Sequence, residues 1–202
     1  MVTTALLLAG SLLAGCTGDE SAETASATAT AAPESSASSS EPAGTGGDAA
    51  TDAPLFPADA QPDTADASTD ARVTVREIRI GRQAGFDRVV LEVGGTGTPG
   101  WDVRYVDEAA SQGAGEPVEV AGDAVLQVTL TGAGYPYDTG VEEWSGPDPL
   151  AAADTEVVTE EAFDATFEGT TVAFVGTTAR TPFRVYLLES PTRVVIEVAD
   201  AA

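Results

Sequence analysis

From residue 72 onward the apolar positions come in short runs broken by Gly and Pro. In the clearest run, Leu126, Val128 and Leu130 alternate with Val125, Gln127 and Thr129. That period of two marks a half-buried strand, since successive side chains of a strand point to opposite faces. The same reading predicts strands over 73–80, 87–93, 101–106, 117–120, 124–131, 155–163, 170–176, 183–188 and 192–198. Within 73–80 the apolar parity slips from Val73 and Val75 to Ile78 and Ile80. One extra residue near Arg76-Glu77 would cause that slip, so a β-bulge is expected there. No segment carries the 3.6-residue apolar period of an amphipathic helix. Many short strands with turn signals between them indicate an all-β sandwich or barrel.

One pattern recurs. RVVLEV at Arg88–Val93 returns as RVVIEV at Arg193–Val198. Each copy follows another predicted strand across a turn, so each is the second strand of a hairpin. A nearly continuous apolar run suits a central strand, with one Val on each face. Convergence would account for the likeness, because Val and Ile are favoured in strands. The reading adopted here is two pseudo-symmetric halves that each contribute a hairpin to one core.

The pattern stops upstream of residue 71. Residues 17–70 hold only Ala, Ser, Thr, Gly, Pro, Asp, Glu, one Gln and the pair Leu55-Phe56. So little apolar surface cannot offset ordering entropy, which predicts a disordered acidic tether over 16–70. Such a coil spans roughly 40 Å. Leu55-Phe56 is either part of an inert spacer or a binding motif. Ahead of the tether, the apolar run Ala5–Leu13 is too short to span a bilayer but fits a signal peptide over 1–15. It ends in Leu13-Ala14-Gly15-Cys16, which resembles the bacterial lipobox. The resemblance implies cleavage before Cys16 and a lipid anchor on that Cys, holding the chain on the outer face of the cytoplasmic membrane. A plain signal peptide with an incidental Cys is the other reading. Only the amino terminus is positive ahead of the run, where signal peptides carry Lys or Arg; a start further upstream would supply them.

Composition narrows the chemistry of the remaining domain, 71–202. The chain of 202 residues has no His, no Lys, one Cys and a net charge of −24. Phosphate binding needs a dense basic surface, so nucleic acid is not an expected partner. Without His, neither a zinc amidase centre nor a Ser/His/Asp or Cys/His nucleophile can be built. A two-carboxylate glycosidase needs only a pair of acids. Among so many acids, Glu142-Glu143 and Glu160-Glu161 are poor evidence for one. Asp138 and Asp148 fit solvated loops better than a calcium site, because no Asp-x-Asp-x-Asp-Gly loop is present. No enzyme activity, metal or cofactor is expected.

Two features remain as candidates for binding. Gly132 to Asp154 is long and rich in Gly and Pro, and it carries Tyr135, Tyr137 and Trp144. Rings on a loop either stack on a ligand or fold back to cap the core. Trp101 shares parity with Val103 and Tyr105 and is assigned to the core. The second feature is an Arg-rich stretch containing Arg72, Arg76, Arg79, Arg82 and Arg88, with only Glu77 and Asp87 as acids. Arg76, Arg79 and Arg82 either hold ligand carboxylates, such as those of peptidoglycan stem peptides, or pair across strands with the domain's own acids.

The run IRIGRQAGFDRVVLEV, the segments PGWDVRYVDE and GAGYPYDTGVEEW, and the ending PFRVYLLESPTRVVIEV together resemble the AMIN-like domain of actinobacterial lipoproteins. The resemblance covers about residues 73–199. That family is related to the AMIN domain of cell-wall amidases and secretins. The relation implies an antiparallel β-sandwich of two similar sheets and a binding role in the cell envelope. The expected function is thus non-catalytic binding of peptidoglycan or another envelope component. The alternatives are a module docking a cell-wall enzyme or secretion partner, and a small-ligand carrier with a deep apolar pocket between the sheets.

Overall fold

A computed structural model describes residues 53–201. The signal run, Cys16 and the tether as far as residue 52 lie outside the described residues. Two antiparallel sheets pack face to face. The six-stranded sheet has the order β1 (Asp63–Ala65), β4 (Gly100–Val106), β5 (Ala124–Thr131), β8 (Thr170–Thr177), β7 (Val158–Phe167) and β6 (Leu150–Ala151). The four-stranded sheet has the order β2 (Arg72–Gln83), β3 (Phe86–Thr96), β10 (Arg193–Ala199) and β9 (Phe183–Leu188). The one α-helix among the described residues, α1, is a single turn over Pro136–Thr139.

The core lies between the inner faces. Leu126, Val128, Leu130, Val103 and Val175 meet Val89, Leu91, Val93, Ile196 and Phe183 there, as period-two alternation requires. Trp101 packs against this core, as its parity predicted. The expected bulge is present: the β2–β3 register shifts between Val75 and Glu77, leaving Arg76 as the extra residue.

The repeated hexamer occupies the two inner strands of the four-stranded sheet, and the copies pair with each other. Val90 stands opposite Val195, Arg88 opposite Glu197, and Glu92 opposite Arg193. Both hairpins therefore join one sheet, and the local two-fold axis passes through that sheet. The two sheets differ in strand number rather than matching as halves. Val90 and Val195 are equally hidden, 4% and 0% exposed, but on the outer face, where they cluster with Tyr186. It is Val89, Leu91, Val194 and Ile196 that enter the core.

Three expectations change. Residues 117–120 are not a strand; Val118 and Val120 pack against Ala109, Ala162, Val172 and Phe174 on the outer face of the six-stranded sheet. The segment after β4 is held there by a hydrogen bond from Ala121 N to Glu160 Oε1 (2.7 Å) and one from Gln112 N to Asp164 Oδ2 (2.6 Å). The sequence also put everything before residue 71 in the tether, yet β1 pairs with β4 from Asp63 to Ala65. Asp63 Oδ1 accepts from the Trp101 indole N–H (2.9 Å) and Oδ2 from Val185 N (3.2 Å), so one carboxylate joins both sheets. Finally, the Leu55-Phe56 pair divides. Leu55 is 91% exposed, whereas the Phe56 ring lies 4.2 Å from the Arg184 guanidinium and 5.6 Å from the Phe86 ring. What orders this segment is polar and aromatic contact, which a count of buried apolar surface does not register.

A second carboxylate joins the sheets elsewhere. Asp87, fully buried on β3, accepts from the backbone N–H groups of Glu156, Val157 and Val158 through Oδ2 (2.9, 2.6 and 2.9 Å).

Candidate functional site

The segment GYPYDTGVEEW builds the site's outer wall. Pro136 sits in the first turn of α1, where its missing N–H costs nothing. Gly140 closes the turn at φ 70°, donating its N–H to Pro136 O, in a conformation that favours glycine. The chain then runs beside β2, and Trp144 N donates to Val75 O (2.8 Å). This bond reaches β2 at its bulge, where Arg76 is displaced from regular pairing. Between them lies an open cleft of about 680 Å³, lined by Arg76, Glu77 and residues 140–146. A Cβ at Gly146 would collide with the Trp144 ring where it now lies, so the ring packs directly on the glycine backbone.

The cleft unites two of the residues singled out by sequence, Arg76 and Trp144. Arg76 is half exposed and donates through Nε (2.8 Å) and Nη2 to Oε1 of Glu92, with Nη1 left outside the pair. Arg79 bridges Glu77 (2.8 Å) and Glu92 (3.3 Å). Burial pushes the Glu92 carboxyl up, but the hydrogen bonds from Arg76 and Arg79 outweigh it and hold it below its ordinary value. Arg82 lies outside the cleft, bound to Asp87 (3.2 Å) and Asp200. Arg88 and Arg184 converge on the buried Glu197, which also accepts from Tyr186 OH (2.8 Å). The Arg-rich stretch is therefore largely spent on the domain's own acids across strands, and Arg76 is its member facing an open cleft.

Tyr135 and Tyr137 stand apart from this cleft. Their rings stack at 5.3 Å and 13°, and Tyr137 is 81% exposed. Trp144 is part-buried and rests on the core, so it is both a cap and a lining residue. Its Nε1 is shielded from solvent and has no hydrogen-bond partner among the described residues; the same holds for Oε1 of Glu143 beside it. Leaving such a group unbonded costs about 1–3 kcal/mol, so a partner for either one would be favoured here.

The family model of the AMIN-like domain matches residues 73–200. The chain belongs to the AMIN-like domain family. Membership suggests a binding or interaction module of the cell envelope. Searches of curated proteins and of solved structures return no match. Among the described residues of this AMIN-like chain, no group of three or more His, Cys, Asp and Glu could hold a metal ion. No helix among them is long and apolar enough to cross a membrane.

Sequence reasoning passed over Glu143 as a binding residue, taking Glu142-Glu143 only as a weak catalytic pair. It likewise named Glu161 only with Glu160, as poor evidence for a catalytic pair. Glu160 and Glu161 are neighbours on β7 and point to opposite faces, so they cannot act together. Glu160 accepts from Ala121 N, while Glu161 is 0% exposed in the interior with neither carboxyl oxygen hydrogen-bonded among the described residues. Burial, with the Asp148 carboxylate nearby, pushes it up to about 8. The only signal available in the sequence was parity: Glu161 and Phe163 share a face.

Proposed function

We propose that this protein is a lipid-anchored extracytoplasmic lipoprotein whose AMIN-like domain binds peptidoglycan, without catalysis, through the cleft between the β2 bulge and residues 140–146. Family membership supports an envelope role. The observation that carries the choice of surface is the cleft itself. It holds an exposed Arg side chain, an indole and two acids without ion-pair partners among the described residues, Glu142 and Glu143. Stem peptides of the wall offer carboxylates, amides and amines, and a polar cleft of this kind matches them better than a glycan face. A carrier needs space between the sheets, and that layer is filled by the closely buried side chains of the core.

The test is sedimentation of the chain with insoluble wall peptidoglycan, with and without its accessory polymers. Arg76→Ala should weaken co-sedimentation several-fold while the far-ultraviolet spectrum stays unchanged. Equal sedimentation of wild type and Arg76→Ala would move the site elsewhere. For the anchor, two or more acyl chains hold a protein on a bilayer stably, at about 0.8 kcal/mol per buried CH₂. Cys16→Ala should therefore shift the chain from the membrane fraction to the medium or leave it as uncleaved precursor. Unchanged fractionation and migration would remove the anchor from this reading.

A further inference from the structure

The cleft holds an unusual set of unmet demands. Among the described residues Trp144 Nε1 is a donor without an acceptor, and Glu143 Oε1 is an acceptor without a donor; neither touches solvent. Arg76 brings a further donor, Nη1, that its pair with Glu92 does not use. Glu142 is exposed and forms no ion pair among the described residues. Glu77 is neutralised by Arg79, and Arg76 by Glu92. The charge left over is thus carried by Glu142 and Glu143, while the unused donors are those of Trp144 and Arg76.

A ligand with one charge meets only half of this. A carboxylate would accept from Arg76 and Trp144 but face Glu142 and Glu143. An ammonium would suit the two acids and the indole face, yet leave the donors unmet. A group carrying an ammonium and a carboxylate on neighbouring atoms satisfies both sets at once. We propose that the cleft recognises a free amino-acid head group, its ammonium on Glu142 and Glu143 and its carboxylate on Arg76 and Trp144. Because Nε1 and Oε1 are shielded in the free protein, the Glu143 and Trp144 side chains shift as the ligand enters. The ligand supplies the interaction that favours the shifted state. This deepens the peptidoglycan reading and rests on it for the biological source: the head group sought is one on a stem peptide whose amine and carboxylate are both unblocked.

The probe is alanine, compared with N-acetylalanine, which lacks the ammonium, and alaninamide, which lacks the carboxylate. Titration of the isotope-labelled full chain is followed at its two indole N–H resonances, assigned with Trp144→Phe. Alanine should move the Trp144 signal saturably and leave that of Trp101, held by Asp63, in place. Either blocked compound should bind at least about tenfold more weakly. Glu143→Gln and Arg76→Gln should each weaken alanine to a similar degree, with the Trp101 signal reporting an intact fold. An equal response to a blocked compound, or no saturable movement with alanine, overturns the proposal. Sedimentation with wall material separates the two readings. A chain that sediments but ignores alanine sinks the head-group assignment alone. One that binds alanine and ignores the wall keeps the assignment and sinks the peptidoglycan reading.

Discussion

Asp63, Asp87 and Glu161 are acids of one kind in the sequence and of three kinds in the structure. Asp63 bridges the two sheets through an indole and a backbone N–H. Asp87 gathers three backbone N–H groups. The Glu161 carboxyl has no hydrogen-bond partner among the described residues. Nothing in a chain with 33 acidic residues distinguishes them, because what each one meets, an indole with a backbone N–H, three backbone N–H groups or neither, is set only by the fold. Glu161 makes the sharpest test. Its folded value of about 8 lies above the ordinary 4.5, so the folded protein holds a proton that the unfolded chain has released. Stability should thus fall as pH rises from about 4.5 to about 8 and be level in this group above that window. Glu161→Gln should abolish the slope and exceed the wild type by up to about 5 kcal/mol near the upper end. Denaturant melts at both ends of the window measure this. A wild type whose pH dependence matches that of the Gln variant would show the group to be ionised in the fold.

Strands were far more legible than side-chain partners. β5, with strict alternation, and β9 and β10, bounded by turn residues, are found where the pattern put them to within about a residue. The bulge at Arg76 was written in a parity slip. Residues 117–120 carried a strand-like composition, but Val118 and Val120 instead cover an apolar patch on a sheet's outer face. Periodicity cannot separate those two uses of Val. β1 was hidden for the opposite reason, since DTA has no apolar pattern and its hold comes from Asp63. Removing residues 53–70 should therefore lower stability by about 2–4 kcal/mol, through loss of the charged hydrogen bonds of Asp63 and the Phe56 contacts. Asp63→Ala alone should account for about half. A truncated domain that melts with the full-length chain would mean β1 contributes nothing. In the repeated hexamer, Val90→Ala and Val195→Ala should each cost about 2–4 kcal/mol. Because these residues face each other, the double variant should cost measurably less than the sum. Strict additivity in denaturant melts would contradict the shared cluster with Tyr186.

For the molecule as a whole, the all-β architecture and the envelope family were readable from sequence, while the cleft was not. Arg76 and Trp144 are 68 residues apart in the chain, and only the bulge and the bond from Trp144 N to Val75 O bring them to one place. The pairing of the hexamer also has a consequence beyond this molecule. Laid antiparallel on itself, RVV(L/I)E puts Arg against Glu at both ends and Val against Val in the middle. It is a palindrome in chemical terms: each copy is its own complement, so it fits another chain's copy as well as its partner within the fold. The hairpin of residues 183–199, cut free, should thus find a second hairpin and rebuild the four-stranded order without β2 and β3. A lone two-stranded hairpin is marginal, whereas four strands are not. Sedimentation equilibrium of the fragment should give a dimer, and Arg193→Glu, which sets like charges opposite each other in such a pair, should return it to monomer.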